Sequence, residues 1–498
     1  MRQLTSLDAQ FLALENQRQT GHVGALAMLD TSTAPGGEVT RADICRLTAE
    51  RLPLLPPMRW KLAEVPFGLD YPYWIEDPDF DLDYHIREIA LPAPGSDAQL
   101  AAQVARLHSR PLDRARPLWE FYVVHGHESG QTALVSKIHH AVIDGMSGAE
   151  IMGLLLDLGP EGREPPDPDV AGERGEAPGQ WEMLGRGLVG LPRYPLRALR
   201  SLPSAVPHLD ETPLGALPGA GTIGRTTRRL SRAALRRRPV ADRTNVAAPR
   251  TIFNGRRSPH RRFAFGQLSL EEVKAIKNEH GVTVNDVIVS ICAGAVRRWL
   301  VAHDDLPDGP LIAQIPVSVR SDEQLGTYGN RILLMAEPFF VDEPDPVNRL
   351  RRTHEALMGM KERHKALPAD LLQDVNHFIP PAVFSRAAQL TFRLSTSRPG
   401  RPTWNLVVSN VPGPQFPLYL AGARLEANYP ISVITDGLGL NITVMSYCGH
   451  LDFGLLADRD QMPDLWSVLE ALRDEVVALK AAGAPPRDSA PRRGRARA

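Results

Sequence analysis

Lys137-Ile138-His139-His140-Ala141-Val142-Ile143-Asp144-Gly145 is the stretch of this 498-residue chain best suited to chemistry. Histidine is the side chain best matched to taking a proton near neutral pH. It does so well only when its ring is held in one tautomer. A carboxylate four residues on could hold it, or could pin the loop instead. Gly145 lets the backbone turn tightly, and a helix starting just beyond it brings a positive dipole close by. Other readings compete. A His-x-x-x-Asp pair on a helix face could ligate zinc, but no third ligand stands at metal-like spacing, and Gly145 and Gly148 disfavour helix. Both histidines could be ordinary loop residues. A serine or thiol enzyme would need a Gly-x-Ser-x-Gly elbow or an activated cysteine; the elbow is absent, and Cys45, Cys292 and Cys448 sit in apolar or unremarkable settings. The favoured reading is a base acting without a protein nucleophile, with no metal.

The elements around the pair are those that would present it. Residues 120–127 (EFYVVHGH) and 132–138 (TALVSKI) are β-rich runs separated by Glu128, Ser129 and Gly130, a hairpin signal. Ser147 with Glu150 three residues on matches a capping box ahead of IMGLLLDL. The order is therefore strand, short loop, helix, with HHAVIDGM in the loop. From about Gly159 the composition changes to a Pro-rich linker (EGREPPDPDVAGERGEAPG), then apolar residues between Arg and Pro over 180–208, then a basic run from Arg225 to Arg238. That run is read first as a solvated face or linker, with lipid headgroups or coenzyme phosphates as the sharper alternative. Regular structure resumes near residue 261. Residues 262–266 read as a strand, and Ser269 with Glu272 as a capping box for a helix ending around Gly281. Thr283 caps the next helix, with Asn285 and Asp286 in its first turn. Residues 311–318, 405–409, 438–447 and 451–456 are further strand candidates, the last two flanking a hairpin at Cys448-Gly449-His450. Residues 464–480 read as helix and the tail from 481 as a disordered basic segment. The domains expected are 1–159, a linker 160–260, 261–480 and the tail 481–498.

The chain carries 57 Lys+Arg against 58 Asp+Glu, a net charge of −1, which argues against a general nucleic-acid binder. Apolar content of 43% belongs to a globular protein with a core. Three scattered cysteines form neither a disulfide framework nor a paired metal motif, as expected of a reducing compartment. No run approaches the roughly 20 apolar residues that span a bilayer. The expectation is a cytoplasmic protein, soluble or lying on a membrane.

HHAVIDG resembles the HHxxxDG motif of the coenzyme A-dependent acyltransferases, and the other motifs resemble the bacterial wax ester synthase/diacylglycerol acyltransferase family. LTSLDAQF at 4–11 and His22-Val23-Gly24 are similar to its opening, Pro117-Leu118-Trp119 to its PLW motif and Asn285-Asp286 to its ND motif. Pro316-Val317-Ser318-Val319-Arg320 with Gly329-Asn330, and Ser409-Asn410-Val411-Pro412-Gly413-Pro414, are similar to its second half. The Asp-Phe-Gly-Trp-Gly signature of the wider superfamily is absent; Asp436-Gly437-Leu438-Gly439 lies in about that region. The resemblance covers residues 4 to 480.

The resemblance implies an α/β, two-domain fold like chloramphenicol acetyltransferase, with the active site in a tunnel between the halves. His140 would be the general base, taking the proton of diacylglycerol or a long-chain alcohol as its oxygen attacks an acyl-CoA thioester. His139 would accompany it, Asp144 and Gly145 would organise the loop, and Arg320 is a partner for Asp144. No cofactor is bound; acyl-CoA is a substrate. Pro117, Leu118 and Trp119 would contact substrate or simply pack. Asn285 would donate near the reacting centre or simply cap its helix, and Ser409 and Asn410 would offer donors to the tunnel. Partners would be acyl-CoA, the lipid acceptor and a membrane or lipid-droplet surface. The competing functions are esterification of a non-lipid alcohol, and a non-catalytic lipid-droplet protein.

Overall fold

The computed structural model describes residues 1–16, 18–143, 148–164, 179–190, 226, 248–318, 332–365, 402 and 404–483. In the first half α1 (Ser6–Leu14), β1 (His22–Asp30), α2 (Arg41–Arg51), β2 (Ile86–Ala90), α3 (Asp97–His108), β3 (Trp119–His125), β4 (Thr132–His139), α4 (His140–Ile143) and α5 (Gly148–Leu155) follow one another. A helix, α6 (Gln180–Gly190), comes next, packed near Pro66–Gly68 with Met183 buried. The second half runs β5 (Arg261–Ser269), α7 (Leu270–His280), α8 (Val284–Ala302), β6 (Leu311–Ser318), β7 (Ile332–Phe339), α9 (Pro346–Lys365), β8 (Leu406–Pro412), β9 (Tyr419–Leu420), β10 (Ala423–Ile431), β11 (Leu440–Tyr447), β12 (His450–Asp458) and α10 (Leu465–Ala482).

Each half is built on a six-stranded mixed sheet, ordered β9-β10-β1-β4-β3-β2 and β7-β6-β8-β11-β12-β5. The first sheet is completed by strands from the second half of the chain. β10 pairs antiparallel with β1, from Arg424↔Asp30 to Ile431↔Gly24. The halves also share a core. Leu100, Val104 and Leu107 of α3 cluster with Phe263 and Phe265 of β5 and Tyr429 of β10. A stripe repeating every three to four residues gives α3 one apolar face, and that face is buried where the halves meet.

Local rules explain the elements nearest the site. β3 is buried along nearly its whole length, so it reads as a continuous apolar run rather than an alternating one. β4 follows after a tight turn, as the hairpin signal predicts, and ends at His139. Thr283 caps α8 through a reciprocal bond with Asp286, and Gly281 ends α7 with φ +69, a conformation glycine adopts without strain. Ser269 caps α7 through the Glu272 N–H, but no reciprocal bond from the Glu272 carboxylate completes the expected box. That carboxylate is drawn to Lys480 Nζ on α10. The hairpin at Cys448-Gly449 has positive φ at both residues, 42° and 82°. The expected box at Ser147–Glu150 lies outside what the described residues allow. Phe253 already packs in the second-half core, ahead of β5.

Candidate active site

The histidine pair sits where β4 turns into α4, and backbone bonds hold it from both sides. The His139 N–H donates to Leu118 O at 2.9 Å, and the His140 N–H donates to Gly21 O at 2.9 Å. The two rings then meet different surroundings. His139 is 1% exposed. Its Nδ1 accepts the Ala141 N–H at 3.1 Å, which leaves the proton on Nε2. Nε2 lies 3.2 Å from Glu15 Oε1.

Glu15 is the carboxylate that the sequence reading missed. Burial pushes its pKa up, but His139, the Gly21 N–H at 2.6 Å and Arg114 at 2.8 Å hold it down at about 2. It is therefore ionised at neutral pH and fixes the His139 tautomer, the task that sequence spacing alone could assign to Asp144. Gly21 is needed for the approach, since a Cβ there would come 2.9 Å from His139 Nε2. His139 Nδ1 is thus taken by the backbone, while Nε2 faces the Glu15 carboxylate without closing a hydrogen bond.

His140 is half-buried. Its ring stacks on Phe11, with centroids 4.0 Å apart and planes at 15°. Surrounding protein strips water from the ring and His139 adds to the effect, so its pKa is pushed down to about 4. At neutral pH it is a neutral imidazole able to accept a proton. Phe11 and Glu15 lie four residues apart, at the end of α1 and just past it, so one helix serves both histidines. Behind the pair lies a polar layer. His22 is directly opposite His139 across β1 and β4, and its Nε2 is 2.6 Å from His108 O. Lys137, 1% exposed, pairs with Glu120 at 3.3 Å.

Pro117, Leu118 and Trp119 are buried. Trp119 Nε1 donates to Met58 O at 2.7 Å and its ring stacks on His85 at 4.4 Å. What this motif presents to the histidine pair is the Leu118 carbonyl. In the second half Asn285 and Asn410 meet: Asn410 Nδ2 donates to Asn285 Oδ1 at 3.3 Å. Strand alternation puts Ser409 on the opposite face of β8 from Asn410, so the two are not neighbours in one wall. Asp286 caps α8 and also lies 2.7 Å from His354 Nδ1. Asp144, Gly145, Arg320 and Asn330 lie outside the described residues. Among the described residues no group of three or more His, Cys, Asp or Glu side chains could hold a metal ion.

The model of the wax ester synthase/diacylglycerol acyltransferase catalytic domain matches residues 4–288, and that of the family's C-terminal domain matches 328–480. The chain belongs to this family. It is 33% identical over 483 residues to the O-acyltransferase WSD of Acinetobacter baylyi, covering 96% of each chain. It is 35% identical over 476 residues to a probable diacylglycerol O-acyltransferase of Mycobacterium tuberculosis, covering 95% of this chain and 98% of that one. The solved wax ester synthase/diacylglycerol acyltransferase of Marinobacter aquaeolei superposes with a TM-score of 0.67 at 28% identity, covering 97% and 99% of the two chains. The first condensation domain of the CDA synthetase superposes at 0.52 with 15% identity, which extends the likeness in fold alone. This family member is an O-acyltransferase with the expected two-domain α/β fold, and its histidine pair lies at the junction of the first sheet with α4.

Proposed function

We propose that this acyltransferase moves an acyl group from acyl-CoA to the hydroxyl of diacylglycerol, giving triacylglycerol, and also accepts long-chain alcohols to give wax esters. His140 is the general base. The acceptor's proton goes to the His140 imidazole as its oxygen bonds to the thioester carbon. The C–S bond then breaks, and the imidazolium returns the proton to the departing thiolate of coenzyme A. A pKa pushed down to about 4 makes that imidazolium a ready acid for the second step. No acyl-enzyme forms, and no cofactor is needed.

The observation that supports this reading is the contrast between the rings. His139 is 1% exposed, with Nδ1 taken by the Ala141 N–H and Nε2 facing Glu15, while His140 is half-buried with its ring stacked on Phe11. The roles of Asp144 and Gly145 in organising the loop, and of Arg320 as partner of Asp144, stay proposals drawn from the family resemblance, since all three lie outside the described residues. Asn285 and Asn410, which meet in the second half, are the candidate donors for the oxyanion that develops on the thioester carbonyl; Ser409, on the other face of β8, is not part of that pair.

A lipid acceptor suits a protein that works at a membrane or lipid-droplet surface. Support comes from Phe67, 83% exposed, and from Trp181 on α6, 84% exposed. Large apolar side chains left in water mark an interaction surface. Among the described residues no helix is long and apolar enough to cross a membrane.

The test uses purified protein with labelled palmitoyl-CoA and either dioleoylglycerol or hexadecanol, with His140→Ala alongside. Product with wild type and a loss of about 10²–10⁴-fold in the variant is expected. A variant keeping half its rate removes His140 from the mechanism. No product and no released coenzyme A from either acceptor removes the reaction.

A further inference from the structure

Two guanidinium groups are buried side by side where the loop after α1 meets the segment leading into β5. Arg257 is 1% exposed and Arg261 5%. Their bonds go largely to neutral carbonyls. Arg257 donates to Ile434 O and, at 2.8 Å, to Arg18 O; Arg261 donates to Arg18 O at 2.7 Å. Arg257 Nε has no hydrogen-bond partner, and the nearest carboxylate, Asp436, is 3.9 Å away. The other local carboxylate, Asp458, accepts the Ser258 N–H at 2.6 Å and Oγ at 3.1 Å, and the Asp460 N–H at 2.9 Å. Burial, with Arg261 beside it, pushes Arg257 down to about 9. A buried cation satisfied by carbonyls is short of negative charge.

Beside this pair lies a cleft of about 350 Å³ lined by Arg18, Arg256, Arg257, Ser258, Asp458 and Gln461, with Pro259 and Asp460. Arg18 and Arg256 are exposed. Arg18 and Arg256 offer guanidinium donors at the mouth, and the fully buried Arg257 adds its charge from behind the wall. Asp458 and Asp460 offset part of that charge, but Asp458 is already taken by Ser258 and the Asp460 N–H, so the mouth still fits phosphate oxygens. The place of the cleft says whose phosphates. Arg18 is three residues beyond Glu15, so the cleft opens within about 11 Å of chain from the carboxylate that holds His139.

We propose that this cleft binds the phosphates of the acyl donor's coenzyme A, with Arg18 and Arg256 at its mouth and the Arg257 guanidinium in its wall. The assignment rests on the acyl-CoA reading above. It gives the donor side of the site an address built from both halves of the chain.

The test uses the full-length enzyme and reverses the exposed charges, Arg18→Glu with Arg256→Glu, leaving the buried pair intact. The readout is the ratio of kcat/KM for palmitoyl-CoA to that for palmitoyl-N-acetylcysteamine, the same thioester without phosphates. The ratio should fall about 100-fold, roughly tenfold per reversed charge. Calorimetry with adenosine 3′,5′-bisphosphate should show binding to wild type and its loss in the variant, with inorganic phosphate a far weaker competitor. An unchanged ratio, or retained bisphosphate binding, overturns this assignment alone. Inorganic phosphate competing as well as the bisphosphate reduces the cleft to a general anion hole and overturns it too. A wild type that uses neither thioester overturns the acyl-CoA reading, and this assignment with it.

Discussion

The imidazole of His140 lies flat against the ring of Phe11, centroids 4.0 Å apart. The Gly21 carbonyl fixes the same residue's backbone, so the ring is held by one face and by its own N–H. Phe11 therefore sets the plane of the ring, and on the proposed mechanism the direction from which it would meet an alcohol. Phe11→Ala should lower kcat about 10- to 100-fold, the loss typical of small misplacements, with KM for acyl-CoA close to wild type. Steady-state kinetics check it; a wild-type kcat would show that the stack has no positioning role.

The pH profile follows from the burial of His140. Its folded pKa is depressed to about 4, so the neutral, active form persists from neutral pH down to that value. kcat/KM should stay flat through the neutral range and fall only as pH approaches 4, rather than near the usual 6.5. Circular dichroism at each pH separates this limb from unfolding. An acid limb at 6.5 would mean that the ring is hydrated in the working enzyme.

Glu15 holds its charge down to about pH 2, against an ordinary value of 4.5. Because its folded pKa is depressed, its contribution is fully present above 4.5 and is lost as pH falls through about 2. Glu15→Gln should cost about 1–3 kcal/mol at pH 7, and the gap from wild type should start to close only below pH 4.5. Turnover should drop as well, since the His139 tautomer is released. Urea unfolding at several pH values, with activity at pH 7, reads both effects.

Trp119 distinguishes packing from substrate contact. It is fully buried, stacks on His85 and bonds Met58 O. Trp119→Ala should therefore cost about 3–5 kcal/mol, and Trp119→Phe much less, with little change in the KM for acyl-CoA in the milder variant. A raised KM with unchanged stability would instead place the ring against substrate.

Asp452 is buried on β12, and burial pushes its pKa up to about 6 although Asn428 and Gln267 both donate to it. A raised carboxyl pKa gives a contribution that is full below 3.8 and is lost as pH rises through about 6. Asp452→Asn should therefore raise Tm at pH 7–8 and leave it nearly unchanged at pH 4. Equal effects at both pH values would show that the side chain is solvated after all.

Much of the frame was legible because it is local. Residues 311–318 form the strand expected there, and Gly281 and Thr283 stop and start helices as their chemistry requires. The turn at Cys448-Gly449 likewise announces itself in two residues. The histidine pair was legible for the same reason, being contiguous in sequence and preceded by a strand.

What the sequence determined by itself was therefore the pair, its strand and the family. Tertiary structure alone decided what surrounds each ring. Glu15 and Phe11 meet His139 and His140 only because α1 folds back across the end of β4, and no periodicity within α1 signals that contact. The closing of the first sheet by β10 was hidden in the same way: hydrophobic patterning reports which face of a strand is buried, but not which distant strand will bury it.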